Sequence, residues 1–134
     1  MFQMIRKAKV TDSKKIEILM KSVEGFWDDG WRKNVIGLGI KASDGLSFVY
    51  EQNGKILGFI CAHDIGFRAY LSELVVSSEA HNQGIGTKLV RKVEEELIAI
   101  GCKVLISDVW KNTEIFYEKL GWTRPDVTLL RKKL

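Results

Sequence analysis

A hydrophobic strand that leads through a glycine-bearing turn into a helix is the feature that most constrains this fold. Residues 74–76 are Leu-Val-Val, and Gly84 and Gly86 follow within ten positions. Apolar residues then recur at helical spacing over about 83–100, with Gly101 placed to end the helix. The residues of this apolar face are Leu89, Val93, Leu97 and Ile100. The apolar run at 103–109 completes a strand–helix–strand unit, which predicts two parallel strands joined by a right-handed crossover.

The other elements follow from the same kinds of pattern. Thr11-Asp12-Ser13 offers helix N-caps, and Asn53-Gly54 between two β-rich runs predicts a tight hairpin turn. Strands are predicted at 2–8, 47–51, 55–63, 69–76, 103–109 and 127–132, and helices at about 11–23, 29–40, 83–100 and 112–120, the last capped by Asn112 and stopped by Gly121. This order predicts one α+β (mixed α/β) domain over residues 1–134, with a mostly antiparallel mixed sheet and about four flanking helices.

Composition narrows the class of protein. The chain has 134 residues, 46% hydrophobic and 28% charged, so one core forms without disulfides or a structural metal. The net charge of +4 mildly favours anionic partners. Cys61 and Cys102 lack metal-ligand spacing and predict free thiols in a reducing compartment. Neither a signal peptide nor a membrane-spanning run is recognisable, which predicts a cytoplasmic protein without a membrane partner.

The turn after residue 76 has the chemistry of an anion site. The first turn of a helix carries unpaired N–H groups and a partial positive charge. Glycines at 84 and 86 let a phosphate approach the backbone, and Thr87 adds a hydroxyl donor. Glycines that merely close a turn would give the same pattern. The lysine–serine pair of a P-loop and the third glycine of a dinucleotide motif are both missing from the sequence.

Two sequence blocks resemble the GNAT superfamily of N-acetyltransferases. The first block, similar to the family's acetyl-CoA signature, is Glu73-Leu74-Val75-Val76 followed by His81-Asn82-Gln83-Gly84-Ile85-Gly86. The second is Ile115-Phe116-Tyr117-Glu118-Lys119-Leu120-Gly121-Trp122. One long helix and one strand separate the blocks, as in the family. The resemblance implies a GNAT-like fold with a V-shaped splay in its sheet, and acetyl-CoA as cosubstrate.

The resemblance also implies roles for individual residues. Backbone groups of Leu74, Val75 and Val76 would pair with the pantetheine arm, and the N–H groups from Asn82 to Thr87 would hold the pyrophosphate. Tyr117 would donate a proton to the departing CoA thiolate. The sequence departs from the family at two places: His81 stands where Arg or Gln is usual, and Trp110 stands where asparagine is common. Asn112, two residues later, is left as a cofactor contact or a helix cap.

The general base and the acceptor site are less defined. Glu73 is the first candidate for the base, His63 with Asp64 the second, and a water chain without any base residue the third. An acidic and aromatic cluster in the early helices predicts an amine acceptor, because carboxylates and indole faces attract ammonium groups. Its members are Glu24, Trp27, Asp28, Asp29 and Trp31. Polyamine-like, aminoglycoside-like and amino-terminal acceptors all fit it.

Two other functions stay open from the sequence. A non-catalytic acyl-CoA-binding sensor would keep the fold and lose the reaction. An enzyme acting on an RNA-linked amine, or a nucleic-acid binder, is favoured only by the basic charge, since no basic recognition helix or aromatic platform is evident. An edge strand at 127–132 would also allow pairing with a second copy as a homodimer.

Overall fold

The computed structural model describes residues 3–80 and 82–134. Five strands and four α-helices form the framework: β1 Gln3–Lys7, α1 Ser13–Ser22, α2 Val35–Ser43, β2 Ser47–Gln52, β3 Lys55–Asp64, β4 Ala69–Val76, α3 Ile85–Ala99, β5 Leu105–Ile106 and α4 Glu114–Lys119. Short 3-10 turns occupy Val10–Asp12, Ser78–Ala80 and Lys111–Thr113. The predicted α+β class and its mixed sheet are confirmed. Phe2, the predicted first residue of β1, and His81 lie outside the described residues. None of the described helices is long and apolar enough to cross a bilayer.

The sheet has the strand order β1-β2-β3-β4-β5, so chain neighbours are also sheet neighbours. The first three pairings are antiparallel, and β4 pairs with β5 in parallel, as the strand–helix–strand pattern predicts. Asn53 and Gly54, both at positive φ, join β2 to β3 in the predicted tight turn. The predicted bounds of β4, 69–76, coincide with those in the structure.

Helices cover both faces of the sheet. On one face α3 packs through Leu89 and Val93 against a cluster that includes Phe48 of β2. On the other face α1 and α2 pack against Val49 of β2 and Phe59 of β3. Successive residues of β2 therefore enter opposite cores, as the two-residue period of a strand requires. Both layers hold β4 between them, which fixes the strand that carries the candidate site.

The second helix begins later than predicted. The sequence pattern placed it at 29–40, but α2 spans Val35–Ser43. The preceding segment turns at Asp28, whose carboxylate accepts the Gly30 N–H at 2.8 Å, and Asn34 has a left-handed φ of 60°. A side chain that accepts a backbone N–H in this way competes with the hydrogen bonds of a helix, and it therefore favours a loop. The glycines that weakened the prediction lie inside α2, where its close packing against the sheet and the 3-10 turn outweighs their low propensity.

The C-terminal elements also differ from the sequence prediction. The strand predicted at 103–109 is reduced to Leu105–Ile106, and α3 begins at Ile85 instead of Gln83. The strand predicted at 127–132 is wrong: this segment has no regular structure, and Leu129 and Leu130 are largely exposed. A strand needs a neighbour for its ladder, and β5 has only two paired residues to offer. The sheet therefore ends at β5, and the proposed C-terminal edge for a homodimer is absent from the described chain.

Candidate active site

The pairing between β4 and β5 ends after two residues. Ala69 faces Leu105 and Tyr70 faces Ile106, and no further pair follows in the described chain. The Ser107 hydroxyl then donates a hydrogen bond to the Leu71 carbonyl at 2.8 Å, in place of a ladder bond. Beyond it lies a cavity of about 540 Å³ between β4 and the segment after β5, with residues 70–76 on one side and 107–110 on the other. This arrangement is the splay that the family resemblance implies.

Aromatic rings from two distant segments meet at this cavity. Phe26, between α1 and α2, packs edge-on against Trp110 with ring centroids 5.8 Å apart, and against Trp31 at 6.4 Å. All three residues line the cavity. The sequence reasoning named Trp31 as an acceptor contact and treated Trp110 only as a departure from the family, and it missed Phe26. Nothing local distinguishes Phe26 from a core residue, since its partner lies 84 positions further along the chain.

Glu73 is the carboxylate with the most perturbed acidity at the cavity. Burial, together with repulsion from Asp108, raises the pKa of Glu73 to about 7. Asp108 lies on the segment after β5 and accepts a hydrogen bond from the Tyr70 hydroxyl. Burial and this bond to Asp108 raise the pKa of Tyr70, so the phenol stays protonated. Near neutral pH, Glu73 is therefore able to take up and release a proton.

Tyr117 is buried on α4 at the same cavity. Its ring packs edge-on against Phe116 at 5.0 Å and against Trp122 at 5.2 Å. Burial raises the pKa of Tyr117 to about 12, because an uncompensated phenolate is costly away from water. The hydroxyl consequently keeps its proton at neutral pH. The structure brings Glu73 and Tyr117, the two predicted catalytic residues, to one cavity.

The glycine turn before α3 has the geometry of a left-handed cap. Asn82 and Gly84 both have positive φ, and the helix begins at Ile85. A Cβ built at Gly84 would meet no atom within 4 Å, so the backbone at this position faces open space. Gln83 is exposed, Thr87 is half-buried, and the Ile85 side chain is in the core. Only the backbone of Ile85 is therefore available to a ligand at this turn.

Packing explains why residue 86 is a glycine, which the sequence pattern did not reveal. A Cβ at Gly86 would lie 3.2 Å from Cζ of Phe116 and 3.6 Å from Cγ2 of Val76. The contact with Phe116 is tighter than ordinary van der Waals packing, so a side chain at 86 would push against the Phe116 ring, whereas the contact with Val76 is ordinary. The two family-like blocks therefore touch each other: the glycine of the first accommodates the aromatic ring of the second.

Several predicted contacts do not reach the cavity. Asp28 and Trp31 line it, whereas Glu24, Trp27 and Asn112 are outside its described lining. Trp27 packs edge-on against Trp31 at 5.1 Å, and the Lys21 ammonium lies 5.0 Å from its ring centroid. The cap predicted for Asn112 is wrong, because Thr113 is the N-cap residue of α4 and Asn112 lies exposed in the preceding 3-10 turn.

His63 and Asp64, the second pair of candidates for the base, have different surroundings in the structure. Asp64 is exposed, and its carboxylate accepts the Gly66 N–H at 2.9 Å, which fixes the turn after β3. His63 is half-buried, and its Nε2 lies 2.9 Å from the Ser72 hydroxyl. Ser72 lines the cavity beside Glu73. His63 is thus connected to the cavity through one hydrogen bond, whereas Asp64 has a turn-forming role.

Comparison with known families agrees with this geometry. The sequence model of the Acetyltransferase (GNAT) family matches residues 14–122. The match includes α1, the sheet strands from β2 to β5, and both blocks around the cavity. The chain therefore belongs to the GNAT acetyltransferase family.

Solved structures share the fold across nearly the whole chain. A transcriptional regulator from Bacillus halodurans C-125 has a TM-score of 0.80 at 18% identity, covering 99% of this chain and 100% of that one. The PaiA N-acetyltransferase from Thermoplasma acidophilum, in complex with coenzyme A, has a TM-score of 0.79 at 19% identity, covering 96% and 94%. Glucosamine-6-phosphate N-acetyltransferase from Arabidopsis thaliana has a TM-score of 0.72 at 23% identity, covering 98% and 99%. At these identities the likeness concerns the fold.

Proposed function

We propose that this protein transfers the acetyl group of acetyl-CoA to a primary amine by direct attack. The single observation that supports this most strongly is the cavity along the open edge of β4, which Glu73 and Tyr117 both line. A base and an acid on one cavity are what the two proton transfers of the reaction require. Membership of the acetyltransferase family makes acetyl-CoA the donor to expect. The free thiols of Cys61 and Cys102 favour the reducing cytoplasm as the compartment.

The cosubstrate would bind along β4 and across the turn before α3. On the β5 side of β4, the backbone groups of the segment Leu74, Val75 and Val76 face a cavity instead of a paired strand, so an extended pantetheine arm can meet them as a neighbouring strand would. The N–H groups from Asn82 to Thr87, at the start of α3, would hold the pyrophosphate. The open space at Gly84 supports close approach there. His81 would contribute its backbone at the same turn. Asn112 lies outside the cavity lining.

The reaction itself requires two proton movements and one acyl transfer. Glu73, as carboxylate, would take a proton from the acceptor ammonium, and the neutral amine would then attack the thioester carbon. A backbone N–H near Val75 or Val76 would stabilise the oxyanion. When the C–S bond breaks, the Tyr117 hydroxyl would relay the second proton, giving its own to the CoA thiolate and regaining one from the nitrogen of the new amide. Its pKa of about 12 keeps that proton available at neutral pH.

The charge of the cavity favours a cationic acceptor. Its described lining contains three carboxylates, Asp28, Glu73 and Asp108, and no lysine or arginine. The aromatic rings of Phe26, Trp31 and Trp110 offer faces for cation–π contact. Polyamine-like, aminoglycoside-like and amino-terminal acceptors fit this lining. An acceptor bearing a phosphate, such as the one in the name of the Arabidopsis relative, would meet repulsion, and so would an RNA-linked amine.

The test is thiol release from acetyl-CoA against a panel of primary amines, preceded by calorimetric titration of acetyl-CoA. Amine-dependent release by the wild type, slowed on the order of 10²-fold in Tyr117→Phe, is the expected result. Tyr50→Phe is the matched control, because Tyr50 is buried in the core but does not line the cavity. Cofactor binding without release from any amine would support the sensor instead, and no binding would contradict the proposal.

A further inference from the structure

A β-bulge places two neighbouring polar residues of β4 at the same cavity. In the register between β3 and β4, Cys61 pairs with Glu73 and Ala62 pairs with Leu71, so Ser72 has no partner of its own. Neighbouring residues of a regular strand point to opposite faces, and a bulge relaxes this alternation. Ser72 and Glu73 both line the main cavity and also a smaller one of about 130 Å³ beneath α1 and α2.

The Ser72 hydroxyl is connected to the half-buried His63. Its Oγ lies 2.9 Å from Nε2 of His63 and 3.2 Å from the Cys61 carbonyl oxygen, and its single proton can be donated to either of them in turn. His63 itself is only partly buried, one residue before the end of β3. A hydroxyl both donates and accepts, and a neutral imidazole accepts at one nitrogen while it donates at the other. This pair therefore forms a hydrogen-bonded chain that begins at the cavity and leads towards the surface.

The proposed transfer of an acetyl group needs such a chain. Each turnover starts from an ammonium and ends with a neutral amide and a thiol, so one proton must leave for solvent. Glu73 holds that proton after it deprotonates the acceptor, and it must lose it before the next cycle. The aromatic rings of Phe26, Trp31 and Trp110 line the same cavity and have no group that could take this proton.

We propose that Ser72 and His63 form a proton-exit path that returns Glu73 to its carboxylate form after each transfer. This inference rests on the acetyl transfer proposed above. The Glu73 carboxyl gives its proton through water to the Ser72 hydroxyl, whose own proton passes to Nε2 of His63. The imidazolium then turns towards solvent and releases the Nε2 proton there, so that both residues return to their starting forms. Charge and atoms balance, and neither residue touches the acetyl group.

The other titratable groups around His63 do not compete for this role. Burial raises the pKa of the Cys61 thiol to about 11, and its sulfur, 3.6 Å from Nε2, stays protonated. Tyr70, directly opposite His63 in the register, has a pKa raised by burial and by Asp108. Asp64 bonds the Gly66 N–H in the turn. On α2, the Gly39 carbonyl accepts a hydrogen bond from the Cys61 thiol.

His63→Gln tests the path, because the glutamine amide can still form a hydrogen bond with Ser72 but cannot pass a proton on. We expect kcat to fall by less than the roughly 10²-fold that loss of the base itself would cost. More decisively, kcat should become dependent on buffer concentration, and added imidazole should restore it. Ser72→Ala should show the same dependence. Cys61→Ala, which removes the other contact of Nε2, is the control and should show none.

The outcomes separate the two proposals. If the wild type turns over and His63→Gln has an unchanged kcat in every buffer, the exit path is wrong and acetyl transfer stands. A fall in kcat that no buffer or imidazole relieves would assign His63 a purely structural role, which also overturns the path. If the wild type forms no product with any amine, acetyl transfer fails and the exit path fails with it.

Discussion

The two edges of β4 are built in opposite ways. Along β3, the pairing extends from Ala69 to Val76 with one bulge. Along β5, it stops after Ala69 and Tyr70, and a cavity follows. Buried backbone N–H and C=O groups almost always find partners, so an edge that lacks a strand must be completed by water or by a ligand. One strand thus serves as the rigid centre of the core on one edge and as a binding surface on the other.

The side chains of β4 follow the same division. Leu71 and Val75 are almost fully buried, one in the core beneath α3 and the other in the core beneath α1 and α2. Ser72 and Glu73, between them, line the cavity at the bulge. The comparison indicates that stability depends mainly on the paired edge, and activity on the open edge. Substitutions on the two edges should therefore have separable effects.

The largest effect should come from the open edge. Glu73→Gln removes the proposed base and keeps nearly the same shape, so we expect kcat/KM to fall by about 10²-fold or more. Thiol release with the best amine of the panel measures it. Glu95→Gln, an exposed change on α3, is the matched control and should leave the rate unaltered. Full activity in Glu73→Gln would transfer the role of base to a water chain.

A change on the paired side should alter stability more than chemistry. A Cβ at Gly58 of β3 would lie 2.8 Å from Cγ2 of Ile85 and 2.9 Å from Cδ1 of Leu89, so Gly58→Ala forces α3 outward. We expect a loss of about 1–3 kcal/mol in the free energy of unfolding, measured with urea. Gly39→Ala is the control, since its Cβ would be 3.9 Å from the Cys61 sulfur, an ordinary contact. Equal stability of the two variants would contradict the close packing at Gly58.

The smallest effect concerns the pH dependence of stability. Because the folded pKa of Glu73 is raised from 4.5 to about 7, the folded state binds more protons than the unfolded state between these values. Stability should therefore fall as pH rises through this window, by on the order of 1–2 kcal/mol after allowance for partial exposure. Glu73→Gln should lack this component and be more stable than the wild type at pH 8. If the free energy of unfolding had the same pH dependence in both proteins, Glu73 would not be desolvated in the folded state.

Local signals in the sequence were sufficient for most of the framework. Asn53-Gly54 predicted the β2–β3 turn, Gly101 and Gly121 predicted helix ends, and both glycines have the positive φ typical of such ends. These features depend on neighbours within a few residues, so the sequence displays them directly. The C-terminal tail shows the limit: residues 127–132 have a strand-like pattern, but a strand also requires a partner edge.

The parts of the site that the sequence missed depend on contacts between distant segments. Asp108 matters because Tyr70, 38 positions earlier, bonds to it and because its charge acts on Glu73. Phe26 matters because it meets Trp110 across the cavity. Neither residue has a local pattern that marks it. The bulge that brings Ser72 beside Glu73 is likewise a property of the β3–β4 register, which one strand's sequence does not reveal.

The most direct test of the contrast between the two edges is amide hydrogen exchange with and without acetyl-CoA. We predict that saturating acetyl-CoA slows exchange at the cavity-facing amides of residues 74–76 and at residues 82–87, while exchange in β1, β2 and the β3-facing amides of β4 stays unchanged. Desulfo-CoA serves as the control for protection by the adenine-phosphate half, and free acetate as the control for protection by the acetyl group. Protection confined to other surfaces, or no protection at 74–76, would contradict the claim that the open edge of β4 binds the cosubstrate.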